Sequence, residues 1–460
     1  MSTRREQLRA LDQGTLIEGY LLLEGRVRTL EKQVSDLHEL LEGSKPAPPK
    51  TPENSSIPSG QSRKANQKKS QPAKRGPKVG HHGKSRQRSE PDEIIECRVR
   101  LCLGCGQDLS TTPQREVGRH QVIDIPPIRP LVREVVRYGC CCPGCGQYQR
   151  ALAPAGFEPG RVWGSHLARL VVYLHHAHPL SYQRVQHILH EVCGLKLSQG
   201  AVVNLVKGST LHVQKAAQTI HEHVKSASVI GSDETTARVD GQTQWQWVFQ
   251  TPRWVYTLIH PRRNGAVLRE TLGEARPEVW VSDLGSAQLQ HPAPHFQLCL
   301  AHQVRDLQFA IDASRCGWAA QLQALFYRAM RLGKHRHTLP KEVYARQVTD
   351  LEGRLDKLMK TYPQHEDSQN LWRRYRKYRD CLFLFLHRAD VPPTNNASEQ
   401  ALRNSVIYRK VTGGFRTPWG AALYADVTSI LETARRQKLD LFDTLAALLE
   451  GQPVFSPLGE

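Results

Sequence analysis

The sequence has no long apolar run and is short of acidic side chains. No segment approaches the ~18 consecutive apolar residues that a membrane-spanning helix needs. The first residues, Met1–Gln7, lack the apolar core of a secretory signal. We therefore expect no membrane partner and a cytoplasmic location. Against 63 Lys and Arg there are only 44 Asp and Glu, giving a net charge of +19. This surplus predicts a polyanionic partner, most simply nucleic acid.

Cysteine is well represented, with 11 residues in a chain of 460. In a chain that carries no export signal, cysteines indicate metal ligands or free thiols rather than disulfides. At ~100–200 residues per domain, the length predicts about three or more folding units.

A heptad pattern near the amino terminus predicts a coiled coil. The two apolar positions alternate in steps of four and three over about four heptads, with β-branched residues frequent in one of them, which favours a parallel two-stranded coil and hence a homodimer or higher oligomer. The alternative is one amphipathic helix packed on its own chain. The heptad residues are Leu16, Leu23, Leu30 and Leu37 in one position, and Tyr20, Val27, Val34 and Leu41 in the other.

Residues 44–90 contain no periodic pattern of apolar residues. They hold twelve Lys or Arg against two acids, with seven prolines. Such a composition does not bury a core and is typical of disordered linkers. Lys74, Arg75 and Lys78 illustrate its charge, which suits non-specific contact with DNA phosphates. A merely solubilising linker is the alternative.

Two nearly identical cysteine pairs follow the linker. Each pair is spaced Cys-x-x-Cys and is followed by glycine, as in the turns of zinc knuckles, and two such pairs provide four thiolates for one structural Zn²⁺. A redox-active pair is the alternative. Between them, Val122–Ile125 and Leu131–Val136 alternate like strands. The predicted zinc ligands are Cys102, Cys105, Cys142 and Cys145.

A helical segment comes next. A helix is predicted from Ser181 to Val192, Gly194 interrupts it, and Ser198 caps a second helix from Gln199 to Lys207. This arrangement is typical of a helix-turn-helix, although an ordinary helical hairpin has the same pattern. The six histidines between His166 and His190 have no ligand-like spacing, so we expect them on the helix surfaces or in the core.

Three acidic residues have contexts typical of a metal-dependent site. Asp233 and Asp283 each end an apolar, strand-like run, and Glu399 opens a helical stretch. Carboxylates fixed at one sheet edge provide the hard oxygen ligands that a pair of Mg²⁺ ions needs for phosphoryl transfer. Each acid also has a structural alternative: Asp283 can cap a helix, and Glu399 can form a capping box with Asn396. Strand alternation predicts that Glu234 faces away from Asp233.

The surrounding pattern predicts three strands, a helix and a fourth strand. Asp240-Gly241 is typical of a tight hairpin turn. With acids at the ends of the first and fourth strands, this is the ribonuclease-H-like order. Helices are then predicted over Ala319–Leu332, Lys341–Tyr362 and Ser368–His387, as an insertion before Glu399. The fold class is therefore multidomain α/β.

Cys299 and His302 have the spacing of half a zinc site, but no second pair lies nearby in the sequence. We therefore expect Cys299 in the core and His302 on a helix face near the scissile phosphate. Arg305, one turn later, is a candidate for DNA backbone contact.

Several phrases resemble the large transposase of the insertion-sequence-sixty-six family, over nearly the whole chain. They are Asp233-Glu234-Thr235, Ser282-Asp283-Leu284, Cys299 to Asp306, and Asn395 to Arg403. The resemblance implies a DDE transposase of a bacterial insertion sequence, with Asp233, Asp283 and Glu399 as catalytic acids that bind two Mg²⁺ or Mn²⁺ ions. It further implies binding to transposon ends and target DNA, association with the nucleoid and small accessory proteins.

The resemblance also covers the basic phrase after the third acid, so that Arg409 and Lys410 are expected to contact DNA. Ser286–Leu289 departs from the family, where an aromatic-rich phrase is commoner after the second acid. Two other functions stay open: a non-catalytic zinc-ribbon DNA-binding regulator, and a nuclease of the same fold that cuts without joining.

The expected domain order follows from these segments. It is a zipper (1–43), a basic linker (44–95), a zinc ribbon (96–150), a helix-turn-helix-like segment (151–225), the first catalytic part (226–310), a helical insertion (311–388), the second catalytic part (389–440) and a carboxyl-terminal helix and tail (441–460).

Overall fold

The computed structural model describes residues 23–31, 33, 48–55 and 87–456. Within these residues the architecture is mixed α/β, as predicted. The strands are β1 Gly139–Cys141, β2 Tyr148–Arg150, β3 Val229–Val239, β4 Gln242–Gln250, β5 Val255–His260, β6 Val279–Ser282 and β7 His295–Leu298.

Helices precede, interrupt and follow the strands. They are α1 Ser165–His176, α2 Tyr182–Cys193, α3 Gln199–Gly208, α4 Thr210–Lys225, α5 Gly265–Leu272, α6 Leu300–Ser314, α7 Gly317–Lys334, α8 Lys341–Lys360, α9 Glu366–Lys377, α10 Leu384–His387, α11 Asn396–Thr412, α12 Pro418–Arg436 and α13 Leu441–Leu449. Among the helices that the structure describes, none is long and apolar enough to cross a membrane.

Five strands form one mixed sheet in the order β5-β4-β3-β6-β7. β3, β4 and β5 pair antiparallel, whereas β6 and β7 run parallel to β3. Bulky side chains such as Trp247, Phe249 and Trp280 are fully buried against the helices. The β5 edge is covered by α12, because the Thr433 and Ser429 hydroxyls accept the backbone N–H groups of Val255 and Thr257 at 3.0 and 2.8 Å.

The turn between β3 and β4 confirms the hairpin prediction. Asp240 and Gly241 both have positive φ, 48° and 73°, and Val239 pairs with Gln242. A two-residue loop with positive φ at both positions matches the right-handed twist of the strands. However, the prediction that Asp233 ends its strand is wrong. β3 continues for six residues beyond it, because the antiparallel partner β4 supplies hydrogen bonds along its whole length.

The helical pair before the sheet is formed as predicted. The Ser181 and Ser198 side chains accept the backbone N–H groups of Arg184 and Ala201, at 3.3 and 3.1 Å. Gly194 ends α2 in the left-handed conformation, with φ of 66°. These caps fix both boundaries, so local chemistry was sufficient to locate them.

An insertion of helices α6 to α10 separates β7 from α11. Its two ends meet, because the Leu300 N–H donates to the Pro393 carbonyl at 3.0 Å. The predicted helix Ser368–His387 is too long: α9 ends at Lys377, and a 3₁₀ turn and the short α10 follow. The chain turns there to bury Phe383 and Phe385.

The two strand-like runs between the cysteine pairs are not strands. Val122–Ile125 and Leu131–Val136 have no regular secondary structure, and most of their apolar side chains are exposed. Alternation predicts a strand only where one face is buried, and here neither run has a partner strand. The predictions for these runs are therefore wrong.

Only part of the predicted zipper lies in the described residues. Residues 23–31 and 33 are helical, and Leu23, Val27 and Leu30 expose 63%, 48% and 59% of their surface. The heptad positions Leu16, Tyr20, Val34, Leu37 and Leu41 lie outside the described residues.

Candidate active site

Asp233 and Asp283 lie just beyond the same end of the β3–β6 pairing. The parallel pairing of β3 with β6 ends at Gly231 and Val281. Asp233 is two residues beyond that point on β3, and Asp283 directly follows β6. Residues that directly follow the end of a parallel pairing lie close to one another.

Several negative charges meet at Asp233. Its pKa is raised well above the usual value, first by burial and then by the charges of Asp283, Glu234 and Glu399. The backbone N–H of Glu234 donates to Asp233 Oδ1 at 2.8 Å, and this hydrogen bond lowers the pKa of Asp233. The charges of Asp283 and Glu399 therefore reach Asp233, although the separations of the three acids along the chain are 50 and 116 residues.

Glu399 lies in the first turn of α11 and accepts no hydrogen bond through Oε1, which is buried. This oxygen is 3.7 Å from His302 Nδ1 and 3.6 Å from the Arg305 guanidinium. The capping-box alternative is wrong, because Asn395 is the N-cap residue and no side-chain cap hydrogen bond is made. The Glu399 side chain thus points towards His302 and Arg305 rather than towards its own helix end.

Asn395 connects the three chain segments that carry the site. Its side-chain amide donates to the Ser232 carbonyl at 2.7 Å, next to Asp233. Its Oδ1 accepts the Ser398 hydroxyl at 2.6 Å, next to Glu399, and its backbone N–H donates to Cys299 Sγ at 3.1 Å. Asn395 is only 1% exposed, so it fixes the start of α11 against β3. Sequence analysis did not single it out, since its partners are distant in the chain.

Alternation predicted that Glu234 faces away from Asp233, but its side chain contacts the loop that follows Asp283. Its side chain is 3% exposed; it accepts hydrogen bonds from Arg263 Nε at 3.0 Å and from Gln288 Nε2 at 2.5 Å. Gln288 belongs to the segment that departs from the family phrase, and its Oε1 accepts the Trp280 indole N–H at 3.1 Å. Glu234 therefore anchors the loop that follows Asp283 to β3.

The predicted DNA-contacting residues are divided between the site and its surroundings. His302 and Arg305 lie beside Glu399 in the first turns of α6. Arg409 contacts the carbonyl and hydroxyl of Thr236 on β3, whereas Lys410 is exposed. Lys74, Arg75 and Lys78 lie outside the described residues.

The two cysteine pairs have the same local geometry. In the first, the Cys102 N–H donates to the Gln107 carbonyl at 2.9 Å and the Gly106 N–H to the Cys102 carbonyl at 2.8 Å. Cys142, Gln147 and Gly146 repeat these bonds at the same distances, and both glycines have positive φ. Backbone N–H groups lower the pKa of the Cys102 thiol, chiefly that of Cys105.

The corresponding N–H of Cys145 lowers the pKa of the Cys142 thiol in the second pair. The structure thus builds two matching turns. It does not bring their four sulfurs within 4.8 Å of one another, since in the part of the chain that is described only Cys299, His302 and Glu399 form such a group.

Comparison with known families accounts for the main part of the chain. A model of the transposase IS66 family matches residues 160–423, more than half of the sequence. The chain belongs to this transposase family. The match includes α1 to α4, the whole five-stranded sheet, the insertion and all three acids. No curated protein matches the chain.

Proposed function

We propose that the chain is a DDE transposase of a bacterial insertion sequence, which binds transposon ends and both cuts and joins DNA strands. The observation that carries this proposal is that Asp233 and Asp283 follow the end of the β3–β6 pairing and that Asn395 joins the residue before Asp233 to the helix of Glu399. The family membership supports the same activity. The strand order β5-β4-β3-β6-β7, with three antiparallel and two parallel strands, supports a ribonuclease-H-like core.

Two Mg²⁺ or Mn²⁺ ions fit the residues at this edge. The pKa of Asp233 is raised first by burial and then by the charges of Asp283, Glu234 and Glu399, and bound cations would offset those charges. Asp233, Asp283 and Glu399 would supply the carboxylate oxygens that hard divalent ions prefer. Such ions supply Lewis-acid activation of the attacking oxygen and charge stabilisation at the leaving oxygen. Asp233 would contribute to both ions, and Asp283 and Glu399 to one each.

The protein's own side chains would orient the DNA around the acids. Arg305, whose guanidinium lies beside Glu399, would hold a backbone phosphate, and His302 would lie near the scissile phosphate. Exposed Lys410 and the exposed Arg373, Arg376 and Lys377 of α9 would line the path of the duplex. The basic linker, with Lys74, Arg75 and Lys78, would add salt-dependent affinity.

The remaining segments would organise the complex. We propose a zipper over 1–43, a linker over 44–95, a zinc ribbon over 96–150 and a helix-turn-helix-like unit over 151–225, followed by a catalytic domain interrupted by residues 311–388. The exposed apolar side chains of Leu23, Val27 and Leu30 support dimerisation. The matching turns at Cys102–Cys105 and Cys142–Cys145 support one structural Zn²⁺. Accessory proteins and a nucleoid-associated cytoplasmic location belong to the same proposal.

Incubation of transposon-end DNA with target DNA and Mg²⁺ tests the function. Uncut and pre-cleaved ends are supplied in parallel, and the products are separated on denaturing gels. Joined product from pre-cleaved ends supports a transposase. Cleavage of uncut ends without joining would instead identify a nuclease, and binding without either product would identify a regulator.

A further inference from the structure

Cys299, His302 and Glu399 form a compact group beside the three acids. Cys299 precedes α6, His302 lies in the first turn of α6, and Glu399 lies in the first turn of α11. His302 Nδ1 is 3.4 Å from Cys299 Sγ and 3.7 Å from Glu399 Oε1. One ligand atom from each residue lies within 4.8 Å of the others. The sequence offered Cys299 and His302 as half a site, and the fold adds the third ligand from a helix almost one hundred residues away.

Two of the three distances within this group match the edges of a tetrahedral coordination sphere. With bonds of about 2.3 Å to sulfur and about 2.1 Å to nitrogen or oxygen, the sulfur–nitrogen edge of a tetrahedron is about 3.6 Å and the nitrogen–oxygen edge about 3.4 Å. The observed 3.4 and 3.7 Å each differ from these edges by only a few tenths of an ångström. One cation between the three atoms would therefore require little rearrangement.

The surroundings of the ligand atoms support a bound ion. Glu399 Oε1 is buried and accepts no hydrogen bond, and such an atom calls for a partner. Cys299 is fully buried, and burial raises the pKa of its thiol to about 11, whereas the Asn395 backbone N–H, which points at the sulfur from 3.1 Å, acts to lower this pKa. A backbone donor of this kind orients a sulfur ligand.

We propose that Cys299, His302 and Glu399 bind one thiophilic divalent cation of the Zn²⁺ type, separate from the ion of the zinc ribbon. A thiolate and an imidazole select such ions over Mg²⁺, which prefers oxygen ligands only. Three protein ligands leave a fourth position for water. The bound ion displaces the Cys299 proton to solvent and takes the place of the Arg305 guanidinium as the nearest positive charge to Glu399 Oε1.

Occupation of this site withdraws Glu399 from the other acids. Zn²⁺ therefore inhibits Mg²⁺-dependent strand cleavage by engaging Glu399. This consequence rests on the proposed function, whereas binding of the ion does not.

Cobalt titration of the full-length, metal-stripped protein tests the binding. Co²⁺ is the probe because a sulfur ligand gives it a charge-transfer absorption band. We expect wild type to bind one more Co²⁺ per chain than Cys299→Ser, with a sulfur band in the difference spectrum. Cys316→Ser is the matched control, since it removes a thiol from the N-cap of α7, where serine is well accommodated. It should retain the wild-type count.

Equal counts and equal spectra for wild type and a folded Cys299→Ser would overturn the site. If Cys299→Ser does not fold, the affinity of His302→Gln for the extra Co²⁺ tests the site instead. The His302 side chain is 20% exposed, and its replacement should weaken the extra Co²⁺ by at least the ~10–100-fold typical of changes around metal sites. Unchanged affinity in His302→Gln would equally overturn the site.

A cleavage assay at fixed Mg²⁺ and rising Zn²⁺ tests the inhibition. The Zn²⁺ concentration for half-inhibition should rise at least ~10-fold in His302→Gln relative to wild type. Equal inhibition of both would contradict the withdrawal of Glu399. Absence of any Mg²⁺-dependent cleavage by wild type would instead count against the proposed function, and the cobalt count would still decide the site.

Discussion

The side-chain amide of Asn395 donates to the backbone carbonyl of Ser232 at 2.7 Å. This bond joins the residue before Asp233 to the N-cap of the helix that carries Glu399. Two acids 166 residues apart in the chain are thereby held by one buried side chain. The geometry of the site depends on Asn395 although it carries no charge.

Asn395→Ala should therefore impair activity more than folding. The change leaves the Ser232 carbonyl and the Ser398 hydroxyl unpaired and should cost about 1–3 kcal/mol in the free energy of unfolding. A displacement of Glu399 by about 1 Å should reduce cleavage by about 10²-fold. Asn404→Ala is the matched control, since Asn404 on the same helix makes a comparable bond, to the His176 carbonyl at 2.9 Å. Equal losses of cleavage in both variants would contradict the positioning role.

Asp283→Asn should abolish cutting and joining together while DNA binding persists. The substitution keeps the size of the side chain but removes the charge that a hard divalent ion requires. Product yields and DNA affinity are measured under the same conditions, with melting temperature as a check on folding. Asp240→Asn is the control, because Asn-Gly suits the same tight turn at the exposed hairpin tip. Retained cleavage in Asp283→Asn would exclude a metal ligand at this position.

Asp233→Asn should raise the melting temperature in the absence of divalent ions. The pKa of Asp233 is raised in the folded state, so the ionised carboxylate opposes folding above its ordinary pKa of about 3.9. The stabilisation by Asn should be largest at neutral pH and vanish as the pH falls below about 4. Calorimetry over this range measures it, with the exposed Asp350→Asn as control. Mg²⁺ should stabilise wild type more than Asp233→Asn.

The helices before the sheet should make the protein sensitive to acid. Burial lowers the pKa of His175 to about 4 from its ordinary 6.5. The His175 Nδ1 donates to the Leu180 carbonyl at 2.7 Å, and its Nε2 lies 3.3 Å from the Tyr408 hydroxyl. The unfolded chain binds a proton before the folded one does, so stability falls as the pH drops from 6.5 towards 4, by about 3 kcal/mol.

Urea unfolding at several pH values measures this loss of stability. In His175→Gln the loss between pH 6.5 and 4 should shrink by about 3 kcal/mol, whereas the exposed His187→Gln should behave like wild type. An unchanged pH dependence in His175→Gln would show that other groups cause the sensitivity.

Metal analysis should find about one zinc per chain in the ribbon. Cys102→Ser should lose it and unfold the ribbon, while the five-stranded sheet stays folded, because residues 96–150 do not contribute to it. Zinc content and circular dichroism report the two effects. Cys97→Ser removes an exposed thiol outside the pairs and should keep its zinc. Full zinc content in Cys102→Ser would refute the ligand assignment.

Local signals in the sequence predicted the parts of the fold that depend on neighbouring residues. Ser181, Ser198 and Gly194 mark helix ends because caps act within a few residues, and Asp240-Gly241 marks the turn for the same reason. Asp233 and Asp283 were predicted from their strand contexts, and Glu399 from its place at the start of a helical stretch. Their meeting depends on the order of β3 and β6 in the sheet.

Other features depend on contacts between separate segments and were missed or mistaken. The continuation of β3 past Asp233 is set by its partner β4. The bonds of Glu234 to Arg263 and Gln288 join three separate segments. The run Val122–Ile125 alternates like a strand but has no partner strand. In each case the outcome depends on the presence or absence of a partner segment, about which the periodicity of the run itself carries no information.

The hydrogen bond between the Leu300 N–H and the Pro393 carbonyl brings the two ends of the insertion together. The chain leaves the catalytic fold and returns to it at one point, so the number of residues spent between Asp283 and Glu399 does not set the distance between the two carboxylates. Helices α7 to α10 can therefore lengthen, shorten or change their surface while the acids keep their places. Sequence divergence can accumulate there without moving the acids.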